Sequence, residues 1–453
     1  MLLLHSTKQC TLAQKSYLII PNCSDLNRGD QALVWETRRL AQNAGCDGEF
    51  CFFAEPDEPT AQSEAQGLRR LVPVLGHPSR KFQNKNNIRY SASIKLRWGA
   101  VALGDLVVSS MLLNRVTRPL GKRFLNAEQR KSLAAFEGCD AVFMKGGGLL
   151  QTYGGLTASY SMYYFLYPIR LAEALGKPVY VLPNSYGPFE GPGVAAMTRR
   201  ALSRCRLVTS RETLSQNMVR ASLDLDIENY PDLAFCLPQR STTKADVARK
   251  YGIDPGETWV ALTMRPYRFP HSSNPAKAYE DFKKAMAGFI TWLHAHGYTP
   301  VVIEHTRAVN AHENDGECIR EVMAMMEPGT CSVISDDSLD CLSLKGIYGC
   351  CDYIVGTRFH SVIFSLSNGV PGLAISYVGN KTKGIMHDAG LDDYVLDISN
   401  VTADELERKF EHLVENEDDV KKKAGAYRKL SEEGFQSLAA KIHELQVAAT
   451  GKR

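Results

Sequence analysis

No stretch of the 453-residue chain approaches the ~20 consecutive apolar residues that a membrane-spanning helix needs. The longest apolar segment, 101–113, is broken by Gly104, Asp105, Ser109 and Ser110. The opening MLLL run is too short for a secretory signal core, and no small-residue cleavage site follows it. A cytoplasmic protein is expected. Neither sign of charge is in excess: 53 basic against 50 acidic residues leave +3. So balanced a chain argues against nucleic acid as the main partner. The 12 cysteines include no C-x-x-C pair and no accompanying His cluster. That spacing favours reduced thiols over a disulfide framework or a zinc site. Internal repeats and low-complexity tracts are also missing.

What remains is an ordinary globular composition, 44% hydrophobic and 23% charged, long enough for two or three domains. Short β-branched runs at 17–21, 141–144, 179–182, 207–209, 259–264, 299–303, 332–334, 353–355 and 372–375 read as strands. Helical patterns at 30–43, 160–175, 278–295 and 360–368 lie between them. Strands alternating with helices imply βαβ units and parallel sheets. Pro, Ser and Thr cluster at 237–244, and a fresh strand–helix series begins at Trp259. The expected organisation is an α/β domain over 1–240, a second over 241–400, and a charged helical tail over 401–453 that could pack on either.

Parallel sheets bind ligands beyond the carboxyl ends of their strands, so the residues that follow each strand are the site candidates. In the first half these are Asn27-Arg28-Gly29-Asp30, then Lys145-Gly146-Gly147-Gly148, Ser185-Tyr186-Gly187-Pro188 and Ser210-Arg211-Glu212. In the second half they are Arg265-Pro266, Glu304-His305 and Gly356-Thr357-Arg358-Phe359-His360-Ser361. Polar and glycine-rich residues at the same edge in both halves predict one cleft between two facing domains. Each loop has a plainer alternative. The glycines could form only a tight strand-to-helix turn, Asp30 could be a helix N-cap, and Arg211–Glu212 a surface ion pair. Arg265 could likewise sit in a surface ion pair, and Glu304 and His305 could be solvated. The sharpest signal is 356–361. There a buried strand enters an apolar helix with Arg358 and His360 in its first turn. A helix N-terminus with an Arg fork suits phosphate or carboxylate.

Taken together these segments resemble the polysaccharide pyruvyl transferase family. The matching pieces are Asn27–Asp30, Gly146–Gly148, Ser185–Pro188, Ser210–Glu212, Asp232 in YPDLAF and Arg265 in TMRP. The run GTRFHSVIFSLSNGVPGLAISY and the segment Lys383-Gly384-Ile385-Met386 complete them. The resemblance implies two Rossmann-like domains facing a central cleft, as in glycosyltransferase-B folds. It also implies phosphoenolpyruvate as donor and a glycan or lipid-linked oligosaccharide as acceptor. The reaction implied makes a cyclic pyruvate ketal and releases phosphate. No cofactor or metal is called for, since arginines can neutralise the donor. His360 is the expected general acid, with Arg358 beside it. Arg211, Arg265, Asp30, Asn27, Gly147, Gly148, Ser185, Glu304 and Ser361 are the expected substrate-binding residues, with Glu304 or Asp30 a possible base. Two alternatives stay open. One is a nucleotide-sugar glycosyltransferase, which usually wants a carboxylate for the ribose hydroxyls; Glu304 could serve. The other is a non-catalytic sugar- or anion-binding protein.

Two further features fall in the first half. Tyr153, Tyr160, Tyr163 and Tyr164 either stack on sugar rings or belong to the core. Residues 80–123 hold ten basic residues (Arg80, Lys81, Lys85, Arg89, Lys95, Arg97, Arg115, Arg118, Lys122 and Arg123) and one acid, Asp105. Trp98, Leu106, Met111, Leu112 and Leu113 are interleaved with them. This is either a patch facing a membrane or lipid-linked acceptor, or a structural hairpin with solvated charges.

Overall fold

The computed structural model describes residues 15–76, 92–155, 157–307, 313–377 and 379–450. Two parallel sheets organise the chain. The first holds β1 (Ser16–Ile20), β2 (Glu49–Phe53), β3 (Leu68–Leu71), β4 (Ala141–Met144), β5 (Gly147–Tyr153), β6 (Val179–Glu190), β7 (Leu207–Ser210) and β8 (Glu228–Asn229). Its order is β3-β2-β1-β4-β6-β7-β8, with β5 paired to the outer part of β6. The second holds β9 (Thr258–Thr263), β10 (Tyr298–Ile303), β11 (Ser332–Ile334), β12 (Tyr353–Gly356), β13 (Gly372–Ser376) and β14 (Val395–Asp397). Its order is β11-β10-β9-β12-β13-β14. In each sheet the chain runs outward to one edge and then returns to the middle. That reversal is the switch point at which such sheets bind ligands.

The strands are apolar on both faces because helices cover both sides. In β1, Tyr17 and Ile19 enter one core, while Leu18 and Ile20 enter another. The first of these cores continues without a break through the second domain. Helices tie the two sheets together. Helix Ala403–Glu415 packs on Pro275–Ala295, in the second domain. Helix Glu417–Thr450 returns to the first domain and lies against helix Arg28–Asn43 and the turn Leu233–Cys236. The tail thus packs on both domains.

Nine strands stand where the sequence places them, within a residue or two, apart from the long extension of β6. Five do not figure in the sequence reading: β2, β3, β5, β8 and β14. The glycine segment is the notable correction. Gly147 and Gly148 open β5 rather than a turn into a helix, so no helix N-terminus stands there. Arg80, Lys81, Lys85 and Arg89 of the basic span lie outside the described residues. Its remaining part forms helix Ala92–Leu113 and a short helical turn after it. Leu112 is buried and faces inward, and Met111 and Leu113 beside it are half-buried. Tyr163 is core as well, with its hydroxyl 2.7 Å from Ser109 Oγ.

Candidate active site

The carboxyl ends of the two sheets meet. Asn27 bridges Thr306, Arg307 N donates to Leu26 O at 2.8 Å, and Asn380 Nδ2 donates to Tyr186 O at 3.0 Å. The loop after β1 and the outer part of β6 therefore touch loops after β10 and β13, and the expected site residues can be located around this junction.

On the first-domain side, Asn27 is the cap of helix Arg28–Asn43: its side-chain oxygen accepts from Asp30 N at 3.2 Å. Asp30 is therefore not the cap. Its Oδ1 receives Lys145 Nζ at 2.6 Å, and its Oδ2 receives Asn27 Nδ2 at 2.9 Å. Burial pushes the Asp30 carboxyl up, but Lys145, with His360 and Lys381, outweighs this and holds it below the usual range. Arg211 is fully buried rather than on the surface. Its Nε donates to Ser185 Oγ at 2.7 Å and its Nη1 to Asp232 Oδ2 at 2.6 Å. Glu212 lies further off, 3.9 Å from Arg211 Nε. Ser185 Oγ donates to Glu212 Oε2 at 3.1 Å, so this serine links Arg211 to Glu212. Burial pushes Glu212 up to about 7 despite Arg211. Gly148 lies beside the Arg211 guanidinium, and Gly147 faces the Asn184 side chain, whose Oδ1 is buried without a partner among the described residues.

On the second-domain side, three expectations change. Arg358 is not a free fork: its Nε and Nη2 lie 2.8 and 2.7 Å from Asp315 Oδ1, and Nη2 also donates to Glu313 O at 2.7 Å. Ser361 faces inward. Its hydroxyl donates to Arg358 O at 2.6 Å and lies 2.9 Å from Thr263 Oγ1, bracing the turn that carries Arg358. Glu304 is committed to Ser335 Oγ and to Arg307 Nε, the latter at 3.3 Å, with 4% of its side chain exposed. Its neighbour His305 is buried against Tyr348, whose hydroxyl lies 3.1 Å from Nδ1.

Arg265 and His360 border the junction itself. The Arg265 guanidinium lies 4.5 Å from the centre of the Tyr377 ring. His360 stands against the start of helix Arg28–Asn43, so closely that a Cβ on Gly29 would overlap its ring. The His360 Nε2 is buried with no hydrogen-bond partner among the described residues. Burial lowers the imidazole to about 4. Asp232 and Asp30 raise it, while Arg211 and Lys381 lower it. It is therefore neutral at pH 7, not the imidazolium expected of a resident acid.

Two residues escaped the sequence reading. Lys381 Nζ donates to the Tyr377 hydroxyl at 2.8 Å, and Lys381, Arg265 and Arg358 surround that phenol. Burial would push Tyr377 up, but the three cations bring it down to about 7. The available signal was the NKTKG sequence after β13. It enters helix Lys381–Asp388 much as GTRFHS enters helix Phe359–Ser367. Cations from both domains thus converge on one buried, partnerless imidazole nitrogen. The arrangement can hold a small multiply charged anion and move a proton beside it. Tyr153, exposed at the tip of β5, meets His271 edge-on at 5.8 Å. Among the described residues, no group of three His, Cys, Asp or Glu side chains is arranged to hold a metal ion.

Solved structures share the architecture. A putative UDP-N-acetylglucosamine 2-epimerase from Listeria monocytogenes superposes with a TM-score of 0.54 at 10% identity, over 91% of each chain. A glycosyltransferase from Rickettsia africae gives 0.53 at 11% identity, over 96% of this chain and 99% of that one. At such identity these likenesses show the fold alone, the glycosyltransferase-B type. In sequence, the amylovoran biosynthesis protein AmsJ of Erwinia amylovora is 23% identical over 289 residues, 62% of this chain and 67% of AmsJ. The model of the family described as polysaccharide pyruvyl transferase matches residues 27–380, from the Asn27 cap to the start of the Lys381 helix. With most of the chain inside that match, it belongs to the polysaccharide pyruvyl transferase family and is a pyruvyltransferase.

Proposed function

We propose that the chain takes pyruvate from phosphoenolpyruvate and joins it, as a cyclic ketal, to two hydroxyls of one sugar in a polysaccharide repeat unit or its lipid-linked precursor. The observation that carries this reading is the partnerless His360 Nε2 beside Arg211 and Lys381, with Arg265 next to Lys381 at the Tyr377 phenol. Phosphoenolpyruvate brings a phosphate and a carboxylate, and charge-assisted bonds to each contribute about 1.5–3 kcal/mol. Phosphoenolpyruvate is a product of central metabolism, which supports a cytoplasmic site of action.

The steps balance as follows. A proton reaches the methylene carbon, which becomes a methyl group, and leaves the adjacent carbon electrophilic. One sugar hydroxyl forms a C–O bond there and loses its proton. Phosphate departs with the electron pair of its C–O bond. The second hydroxyl adds at the same carbon, loses its proton and closes the ring. The free enzyme holds His360 neutral, so a donor role requires the substrate to supply the charge that favours protonation. A phosphate beside His360 does this by offsetting Arg211 and Lys381. Asp232 and Asp30 are the carboxylates near the imidazole, and Arg211 and Lys145 respectively hold them ionised and weakly basic. Glu304, the carboxylate open to a nucleotide-sugar reading, is committed elsewhere.

The test is phosphate release from phosphoenolpyruvate in the presence of candidate glycan acceptors. Release that requires both partners supports the reading. Release of nucleoside diphosphate from a sugar nucleotide, with none from phosphoenolpyruvate, would overturn it.

A further inference from the structure

Helix Ala92–Leu113 is mostly apolar with no distinct polar face, a pattern closer to that of helices buried all round than to a surface helix. Among the described residues, one side of this helix is covered. Ala102, Ser109 and Leu112 face the body of the first domain, and the helix runs along Ala158–Ala174, with Trp98 edge-on to Tyr160 at 5.3 Å. On the open side Leu103 is 63% exposed, Leu106 36% and Val107 54%. The chain then folds back at the helix end, where Thr117 Oγ1 donates to Met111 O at 2.9 Å. That fold-back exposes Val116 by 86%, Leu120 by 48% and Phe124 by 63%. Half of the twelve large apolar side chains exposed among the described residues thus stand within one 22-residue span, 103–124.

The charges beside this face are of one sign. Residues 97–124 include five basic residues and a single acid, Asp105. Two of the five are engaged: Arg118 donates to Leu112 O and Ala174 O, and Lys122 pairs with Glu137 at 2.7 Å. Arg97, Arg115 and Arg123 are exposed. An apolar strip flanked by unshared arginines does not suit a second copy of itself, because the arginines would then face one another. It suits a surface that is apolar within and negatively charged at its rim. No described helix is long and apolar enough to cross a membrane, so the fitting geometry is a helix lying in the interface plane.

We propose that the outer face of helix Ala92–Leu113 and the turn after it form a docking surface for an anionic lipid bilayer. Leu103, Val107, Val116 and Phe124 enter the acyl boundary, and Arg97, Arg115 and Arg123 meet the headgroups. The surface does not depend on which reaction the cleft performs.

The test is co-sedimentation of the full chain with phosphatidylglycerol–phosphatidylcholine vesicles and with phosphatidylcholine vesicles. The wild type should pellet with the first and much less with the second, and salt should weaken the binding. Val107→Asp and Phe124→Asp should each lower the partition coefficient about tenfold or more. The Arg97→Gln, Arg115→Gln, Arg123→Gln variant should lose the preference for anionic vesicles. If Val107→Asp fails to fold, as judged by near-ultraviolet circular dichroism, Val116→Asp takes its place. Wild type that stays in the supernatant overturns the proposal, as do Asp variants that pellet like wild type. So does a wild-type dimer that Phe124→Asp converts to monomer, since a second copy would then cover the face.

Discussion

Burial leaves His360 as a neutral imidazole at pH 7, its Nε2 without a partner, and this decides what a substitution there should do. His360→Asn removes the proton-carrying group but keeps a polar side chain of similar reach. Turnover measured as phosphate release should fall about 10²–10⁴-fold, while phosphoenolpyruvate affinity by calorimetry stays near wild type. Turnover close to wild type would remove His360 from the proton transfer. Tyr377 gives an independent readout of the anion site. Its phenol is lowered to about 7 by Lys381, Arg265 and Arg358, so the ionised form is favoured in the folded protein. The stability this contributes is full above the ordinary tyrosine range near 10 and is lost as pH falls through about 7. A tyrosinate absorbance with a midpoint of about 7 is therefore expected. It should vanish in Tyr377→Phe, and phosphoenolpyruvate should move the wild-type midpoint up by neutralising the cations. A midpoint unaffected by the ligand would mean that the anion binds elsewhere. Residue identity at the junction was legible because chargeable residues follow strand ends. Their partners were not: Asp315, which holds Arg358, stands 43 positions away in the chain, and no local pattern announces the pair.

Among the elements, the first turn of helix Arg28–Asn43 lies directly against His360 of the other domain. Gly29 is there because His360 comes from the other domain and leaves no room for a Cβ. Gly29→Ala would gain roughly 1 kcal/mol of helix propensity in an open setting. Here the methyl must displace the imidazole instead. A displacement of about 1 Å at a reacting group costs on the order of 10²-fold in rate. The variant should melt near wild type and lose about that much turnover. A fully active Gly29→Ala would show that His360 has room to move without consequence. The elements themselves were readable where periodicity is clean. Nine strands and four helices follow from apolar runs and their 3.6-residue spacing. β5 was not readable, since GGLLQTY begins with two glycines and carries no β-branched residue before Thr152. What makes it a strand is pairing with the long β6, a tertiary effect.

For the molecule as a whole, the site needs both domains in register, because Asp30 and Arg211 come from one and His360 and Lys381 from the other. Two docked helices add to the contacts at the junction itself. Helix Lys381–Asp388 docks on Glu212 and on helix Thr213–Leu223, with Thr213 N donating to Asp388 Oδ2 at 2.8 Å. The long helix Glu417–Thr450 starts in the second domain and packs on helix Phe359–Ser367 there, then on helix Arg28–Asn43 in the first. Its Lys441 pairs with Glu228 at 2.8 Å, and His443 Nδ1 lies 3.1 Å from Ala44 O. The charged tail thus acts as a strap, which its composition did not reveal because charges cover only its outer side. Phe435, Leu438 and Ile442 form the hidden side, all buried. Leu438→Ala should lower unfolding free energy by about 2–5 kcal/mol, as cavity-forming core substitutions do. The strap joins the continuous core, so denaturant unfolding of the wild type should be one transition by both tryptophan fluorescence and circular dichroism. In Leu438→Ala the strap is loosened first, and phosphate release should fall at denaturant concentrations where circular dichroism is still native. If activity and circular dichroism are lost together in this variant, the strap is simply part of the core and does not hold the two halves of the site in register.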